Sequence, residues 1–291
     1  MNAGTQATTI AVTGSQGQLG SELCRRLGER VVPLDWPEFD LTNPEQMGET
    51  LRRLRPSAVI NTAAYTQVDR AEEDSQRCWA INAEGVGRLA ELCEELQVPL
   101  VQISTDYVFG RHTTRATPYR EDDPPGPQGI YASSKLGGEQ KAAAWRQHTI
   151  VRSCGLYGKP GLNTAASNFV DTMLRLARQG KPLRIVADQH CTPTYVPHLA
   201  SAVLFLVEGR HFGTYHVVND GATTWHDFAC ETFRLAGLSP SVERITTAQY
   251  GAKAPRPLYS LLDTGKYRAL GGPTMPAWQL ALKEYLDAAQ K

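Results

Sequence analysis

The 291-residue chain contains no apolar stretch approaching the length of a membrane span, which argues against a helical transmembrane protein. It carries no surplus of either charge. Lys plus Arg and Asp plus Glu number 30 each, so nothing electrostatic favours a nucleic-acid partner or a membrane surface. The six cysteines (Cys24, Cys78, Cys93, Cys154, Cys191 and Cys230) form no CxxC or CxxH pair, and their scatter predicts reduced, mostly buried thiols. His190 beside Cys191 lacks a second pair of ligands, so no metal is expected. Met1 to Thr8 has neither a basic start nor an apolar run, and the expectation is a cytoplasmic protein without a secretory signal. No tandem repeat or low-complexity tract interrupts the chain.

What is present is an alternation. Thr9 to Thr13 reads as a buried strand and runs straight into Gly14-Ser15-Gln16-Gly17-Gln18-Leu19-Gly20, after which Leu19, Leu23 and Leu27 recur at helical spacing. Glycines in such a turn let the backbone approach a pyrophosphate, and the free amides at the start of the next helix attract its charge. Further strands are predicted at Val31 to Asp35, Ala58 to Asn61, Leu100 to Ser104 and Thr149 to Arg152. Helices are predicted at Pro44 to Leu54, Gln76 to Leu96 and Tyr131 to Gln147. This order implies an α/β fold, a Rossmann-type doubly wound parallel sheet covered on both faces.

Ligands on such sheets sit beyond the carboxyl ends of the strands. Gly14 and Gly17, Asp35, Asn61 to Tyr65 and Thr105 to Tyr107 should therefore share one crevice edge. Asp35 suits an adenosine ribose hydroxyl, but an Asp in a Pro- and Trp-containing loop equally suits a turn, and the choice between NADPH and NADH stays open.

Tyr131 and Lys135 stand four residues apart, one helical turn, on one face. An ammonium near a phenol favours the phenolate, so Lys135 is expected to move the Tyr131 pKa down and make it a usable general acid or base. On its own the spacing describes many ordinary helices. The glycine turn upstream gives it weight.

The order of glycine turn, Asn61-Thr-Ala-Ala, Ser104-Thr105-Asp106-Tyr107-Val108-Phe109-Gly110, Tyr131-x-x-x-Lys135 and Arg152 resembles the extended short-chain dehydrogenase/reductases of nucleotide sugars. Within them it resembles the dTDP-4-dehydrorhamnose reductases. Val68-Asp69-Arg70-Ala71-Glu72, Asn168-Phe169, Thr224-Trp225-His226-Asp227 and Arg256-Pro257 extend the likeness over nearly the whole length. The resemblance implies a smaller, mainly C-terminal α/β substrate lobe. Residues 1–155 would form the dinucleotide-binding domain, receiving part of 183–220, and 156–182 with 221–291 the substrate lobe. It implies Thr105, Tyr131 and Lys135 as the catalytic set in an NADPH- or NADH-dependent reduction of the 4-keto group of a dTDP-4-keto-6-deoxy sugar. Gly14, Gln16, Gly17, Gln18, Leu19, Asp35, Asp40, Leu41, Ala63, Ala64, Tyr65, Tyr131 and Lys135 would bind the cofactor. Val68, Asp106 and Tyr107 would face the sugar. Asn168 and Arg256 are expected at the diphosphate, because an amide donor and a guanidinium fork suit phosphate oxygens.

Several positions qualify the likeness. Dehydratases of this group place an Asp-Glu pair after the threonine, whereas Thr105 is followed by Asp106 and Tyr107, so simple carbonyl reduction fits better. Gly155 stands where the reductases carry a sugar-packing Trp, and Lys159 to Ala166 reads as a flexible loop over the site. Some members dimerise through a glutamate magnesium site; Glu22 matches one position but Pro197 occupies another, so no metal is expected, and a homodimer remains an option. Two other functions share the pattern: a non-catalytic NADP-binding regulatory subunit like the beta subunit of methionine adenosyltransferase, and a nucleotide-sugar epimerase.

Overall fold

The computed structural model describes residues 9–112, 114–162 and 168–289. Six strands, β1 (Ile10–Thr13), β2 (Val31–Leu34), β3 (Ala58–Asn61), β4 (Leu100–Thr105), β5 (His148–Ser153) and β6 (Gly213–His216), form one sheet. Their order is β6-β5-β4-β3-β1-β2, and every neighbouring pair is parallel. The inner strands β1 and β3 are buried along their whole length, as a sheet covered on both faces requires. Edge strand β2 is only partly buried and carries Pro33, which has no amide to give to a ladder. The chain leaves β1 towards β2 on one side and returns to β3 on the other, so the reversal in strand order opens a crevice at the ends of β1 and β3.

Helix Gln18–Leu27 places Leu19, Leu23 and Leu27 on one face of the sheet together with helix Val196–Glu208. The other face is covered by helices Pro44–Leu54, Gly85–Leu96 and Gly129–Ala142. Pro44 fits the first turn of its helix, whose start is closed by the Asn43 side chain accepting the Gln46 amide.

Two helices differ from their sequence expectation, and both differences position the site. The expected helix Gln76 to Leu96 is split into Ser75–Trp79 and Gly85–Leu96 by a π-helical turn, Ala80–Glu84. That turn aims Asn82 inward, where its Nδ2 donates to Tyr65 O at 3.0 Å and Ser134 Oγ at 3.1 Å while its Oδ1 accepts the Tyr65 amide at 2.8 Å. Helix Gly129–Ala142 crosses here so closely that a Cβ on Gly138 would lie 2.1 Å from Asn82 O. The same helix ends earlier than periodicity suggests, because Trp145 turns into the core and donates its Nε1 to Val98 O.

Helices Phe169–Arg178, Trp225–Leu235 and Trp278–Ala289 gather around Tyr157, Phe228 and Trp278. A short parallel pair, Leu183–Val186 with Val242–Ile245, lies beside them. All six cysteines are free thiols. Among the described residues no helix is long and apolar enough to cross a membrane.

Candidate active site

β1 ends in Gly14 at φ +65, a conformation that costs an L side chain. A Cβ there would also stand 2.6 Å from the Ala63 nitrogen, so the turn is pressed against the end of β3. Thr62 locks the contact by donating its hydroxyl to Thr13 O at 2.7 Å. The Gly17 amide closes the turn on Gly14 O at 3.0 Å, and the helix from Gln18 begins with no side-chain cap. Uncapped amides at a helix start and a backbone only glycine can form are what a dinucleotide diphosphate requires, so these residues fit that group. Asp35 braces the same turn: its Oδ2 accepts the Gln16 amide at 2.6 Å and its Oδ1 the Trp36 amide at 2.8 Å.

Gly14→Ala is therefore expected to lower the melting temperature and the dinucleotide affinity together, the left-handed conformation alone costing about 1–2 kcal/mol. Thermal unfolding with and without NADPH checks this. A variant that melts like its parent and is equally stabilised by NADPH contradicts it.

At the other end of the crevice, helix Gly129–Ala142 brings Tyr131 and Lys135 to the end of β4. Lys135 is buried and donates its Nζ to Ile103 O at 2.7 Å. Tyr131 is half-buried, and its ring meets the edge of Tyr107 with centroids 6.0 Å apart. The charges reverse the sequence expectation. Burial pushes the Tyr131 hydroxyl well above its ordinary range, the negative charge of Asp106 adds to this, and a hydrogen bond with Thr105 opposes it. Burial acts on Lys135 as well and brings its ammonium down to about 8. The expected lowering of the Tyr131 pKa by Lys135 is thus corrected: in the free protein Tyr131 keeps its proton at neutral pH and is an acid rather than a base.

A cavity of about 850 Å³ joins the two ends, ample for a small organic ligand. Gly14, Gln16, Gly17, Gln18, Leu19, Asp35, Asp40, Leu41, Ala63 and Ala64 line it near the turn, and Thr105, Tyr131 and Lys135 line it near β4. The structure also puts Trp36, Arg77, Cys154 and Pro160 on the wall, none of which the motif reading selected. Only position signals them: Trp36 follows Asp35, and Arg77 precedes the π turn.

Of the other expected contacts, Asn168 reaches this wall and the rest lie off it. Tyr65 is not on this wall; it packs with Ala71 and Cys78, its hydroxyl on Asp74. Val68 begins a short helix, Val68–Ala71, off the cavity. Tyr107 covers Tyr131, and Asp106 is fully buried behind Thr105. The Arg256 guanidinium is held by both carboxylate oxygens of Asp69, at 3.0 and 2.7 Å. Asn168 reaches the cavity wall, yet its Oδ1 caps helix Phe169–Arg178 and its Nδ2 donates to Gly158 O at 2.9 Å. Glu22 is paired with Arg25 and Arg26.

Gly155 has φ +48, and a Cβ on it would come within 2.7 Å of the Trp225 indole. An aromatic ring from a distant helix thus occupies the space next to the position where the resembled reductases carry their Trp. Of the loop expected over the site, residues 163–167 lie outside the described residues. Its first part rests on the glycine turn: a Gly161 Cβ would fall 2.2 Å from Gln16 O, and Gln18 Nε2 donates to Gly158 O at 3.0 Å.

The RmlD substrate binding domain family matches the chain over residues 8–291. The chain is 39% identical over 286 residues to the spore coat polysaccharide biosynthesis protein SpsK of Bacillus subtilis, covering 96% of this chain and 97% of that one. It is 38% identical over 288 residues to a dTDP-4-dehydrorhamnose reductase of Streptomyces griseus, covering 95% of this chain and 92% of that one. The crystal structure of dTDP-4-dehydrorhamnose reductase from Bacillus anthracis in complex with NADP superposes with a TM-score of 0.91 at 36% identity, covering 97% of this chain and all of that one.

Proposed function

From a chain that belongs to the RmlD substrate binding domain family and carries this cleft, we propose an NADPH-dependent reductase that converts the 4-keto group of dTDP-4-dehydrorhamnose to the hydroxyl of dTDP-L-rhamnose. One observation carries the reading: a single cavity runs from the glycine turn at the sheet reversal to Thr105, Tyr131 and Lys135.

Bound NADPH supplies the hydride. This chain's residues do the rest. Tyr131 gives its hydroxyl proton to the carbonyl oxygen as the new C–H bond forms, so negative charge does not build up on that oxygen. A high pKa keeps that proton available across the neutral range. Thr105, beside Tyr131, holds the same oxygen by a hydrogen bond. The Lys135 ammonium, buried in a low-dielectric wall, orients the cofactor ribose next to the acid. Gly14, Gly17 and the start of the helix from Gln18 hold the diphosphate, and Ala63 and Ala64 leave the dinucleotide room along the end of β3.

Absorbance of the reduced nicotinamide tests this. Purified protein with NADPH and dTDP-4-dehydrorhamnose should oxidise the cofactor in proportion to the sugar added. No oxidation under conditions in which NADPH binds would overturn the assignment.

A further inference from the structure

Thr105 has a single hydroxyl proton, which its bond to Asp106 takes, while its contact with Tyr131 on the cleft side uses a lone pair. Its Oγ1 accepts the Tyr107 amide at 3.2 Å and donates to Asp106 Oδ1 at 3.1 Å. The other oxygen of Asp106 accepts the Ser260 hydroxyl at 2.5 Å, so a residue from late in the chain closes the far side of this carboxyl. Asp106 is 1% exposed and off the cavity wall, with both of its oxygens engaged by these partners. With Asp106 ionised, Thr105 can offer a substrate carbonyl only lone pairs, which repel it. With Asp106 protonated, the carboxyl donates to Thr105 and the threonine proton is released towards the cleft.

Resting on the reductase reading above, we propose that Asp106 is a positioning residue whose protonation state sets the direction of the Thr105 hydroxyl, with Ser260 tuning that choice. Burial raises the Asp106 carboxyl to about 6, against the lowering effect of its bonds from Ser260, Cys154 and Thr105. Its titratable neighbours are Tyr107 on its own turn, Tyr131 from the catalytic helix and Cys154 after β5; all three are shifted upward and stay neutral in this range. Arg256, which faces Tyr107, is spent on Asp69.

The role differs from packing in what it does to pH dependence. In the parent protein kcat should fall roughly tenfold, about the worth of one charge-assisted hydrogen bond, as pH rises through a break near 6. Asp106→Asn should remove the break and leave a flat profile over that range. Ser260→Ala, which deletes a bond favouring the carboxylate, should move the break to higher pH with the amplitude kept. Infrared difference spectra of the protein without substrate supply a second readout: a protonated-carboxyl band lost near pH 6 in the parent, absent in Asp106→Asn and displaced upward in Ser260→Ala. That measurement needs no turnover, so its failure is distinct from failure of the reductase assignment. A parent protein without the titrating band, or an Asp106→Asn variant that keeps the pH break, overturns the inference.

Discussion

Replacing Tyr131 by phenylalanine is expected to lower kcat by about a hundredfold to ten-thousandfold, the usual contribution of a positioned proton donor. NADPH affinity should stay close to the parent's, because the ring keeps its place against Tyr107 and only the hydroxyl is lost. The expectation follows from the charge state found at the site. Tyr131 holds its proton far above neutral pH in the free protein, so in the reduction direction it begins each turnover with a proton to give. Running the reaction backwards needs the phenolate, which burial and Asp106 disfavour, so the oxidation rate of the product alcohol should rise with pH while the reduction rate does not. Steady-state rates with parallel NADPH titrations decide this. A variant retaining more than a tenth of the parent kcat removes Tyr131 as the acid.

Glu139→Gln is expected to destabilise the fold by about 3–5 kcal/mol, because it leaves a buried guanidinium without its counter-charge. Glu139 accepts Arg152 Nη2 at 2.7 Å and Arg152 Nε at 3.0 Å, and the two side chains are 4% and 6% exposed. Ser104 Oγ donates to Glu139 Oε1 at 2.5 Å, which ties the pair to β4 directly before Thr105. Arg152 is held further by the Phe109 ring, 5.0 Å from its guanidinium carbon, and by His216 at 3.3 Å. That histidine is kept neutral, its pKa brought down to about 3 by burial and by the Arg152 charge, so it accepts a hydrogen bond from Arg152 but supplies no counter-charge. Set against an ordinary total of about 5–15 kcal/mol, the loss should lower the melting temperature by roughly 6–20 °C. Replacing both partners by apolar side chains of similar volume should cost far less, since no orphaned charge remains. Thermal unfolding of the single and double variants separates these cases, and a Glu139→Gln protein that melts within a degree or two of its parent contradicts the account.

The parts of this fold legible in the sequence are those with a local signature. The β1 strand, its glycine turn and the Leu19-Leu23-Leu27 stripe announce themselves within about one strand and one helix, and Tyr131 and Lys135 sit at helical spacing. The alternation of strands and helices fixes a parallel sheet because a parallel crossover needs a helix between strands. What the sequence hides depends on contacts between distant segments. The π turn at Ala80–Glu84 exists because Asn82 reaches Tyr65 and Ser134, and no periodicity reports that. Strand β6 joins the sheet from beyond residue 210, after a helix that packs on Gln18–Leu27. Arg256 reads as a phosphate ligand by its chemistry, while its ion pair with the distant Asp69 leaves no local signature. Asp106 reads as sugar-facing, and its bond from Ser260, far along the chain, has no local signature either. The Tyr131 case is the most instructive. Helical spacing puts Lys135 four residues on, yet the burial that makes a cleft also removes the solvent that would have stabilised a phenolate, and the Asp106 charge disfavours it further.

The decisive measurement follows a single hydride. With NADPH deuterated at its transferable position and dTDP-4-dehydrorhamnose as acceptor, the product should be dTDP-L-rhamnose carrying the deuterium at C4, and Tyr131→Phe should form the same labelled product far more slowly. Product whose C4 hydrogen comes from solvent, or deuterium that stays with the nicotinamide while the sugar changes, would contradict a direct reduction in the cleft between the glycine turn and Tyr131.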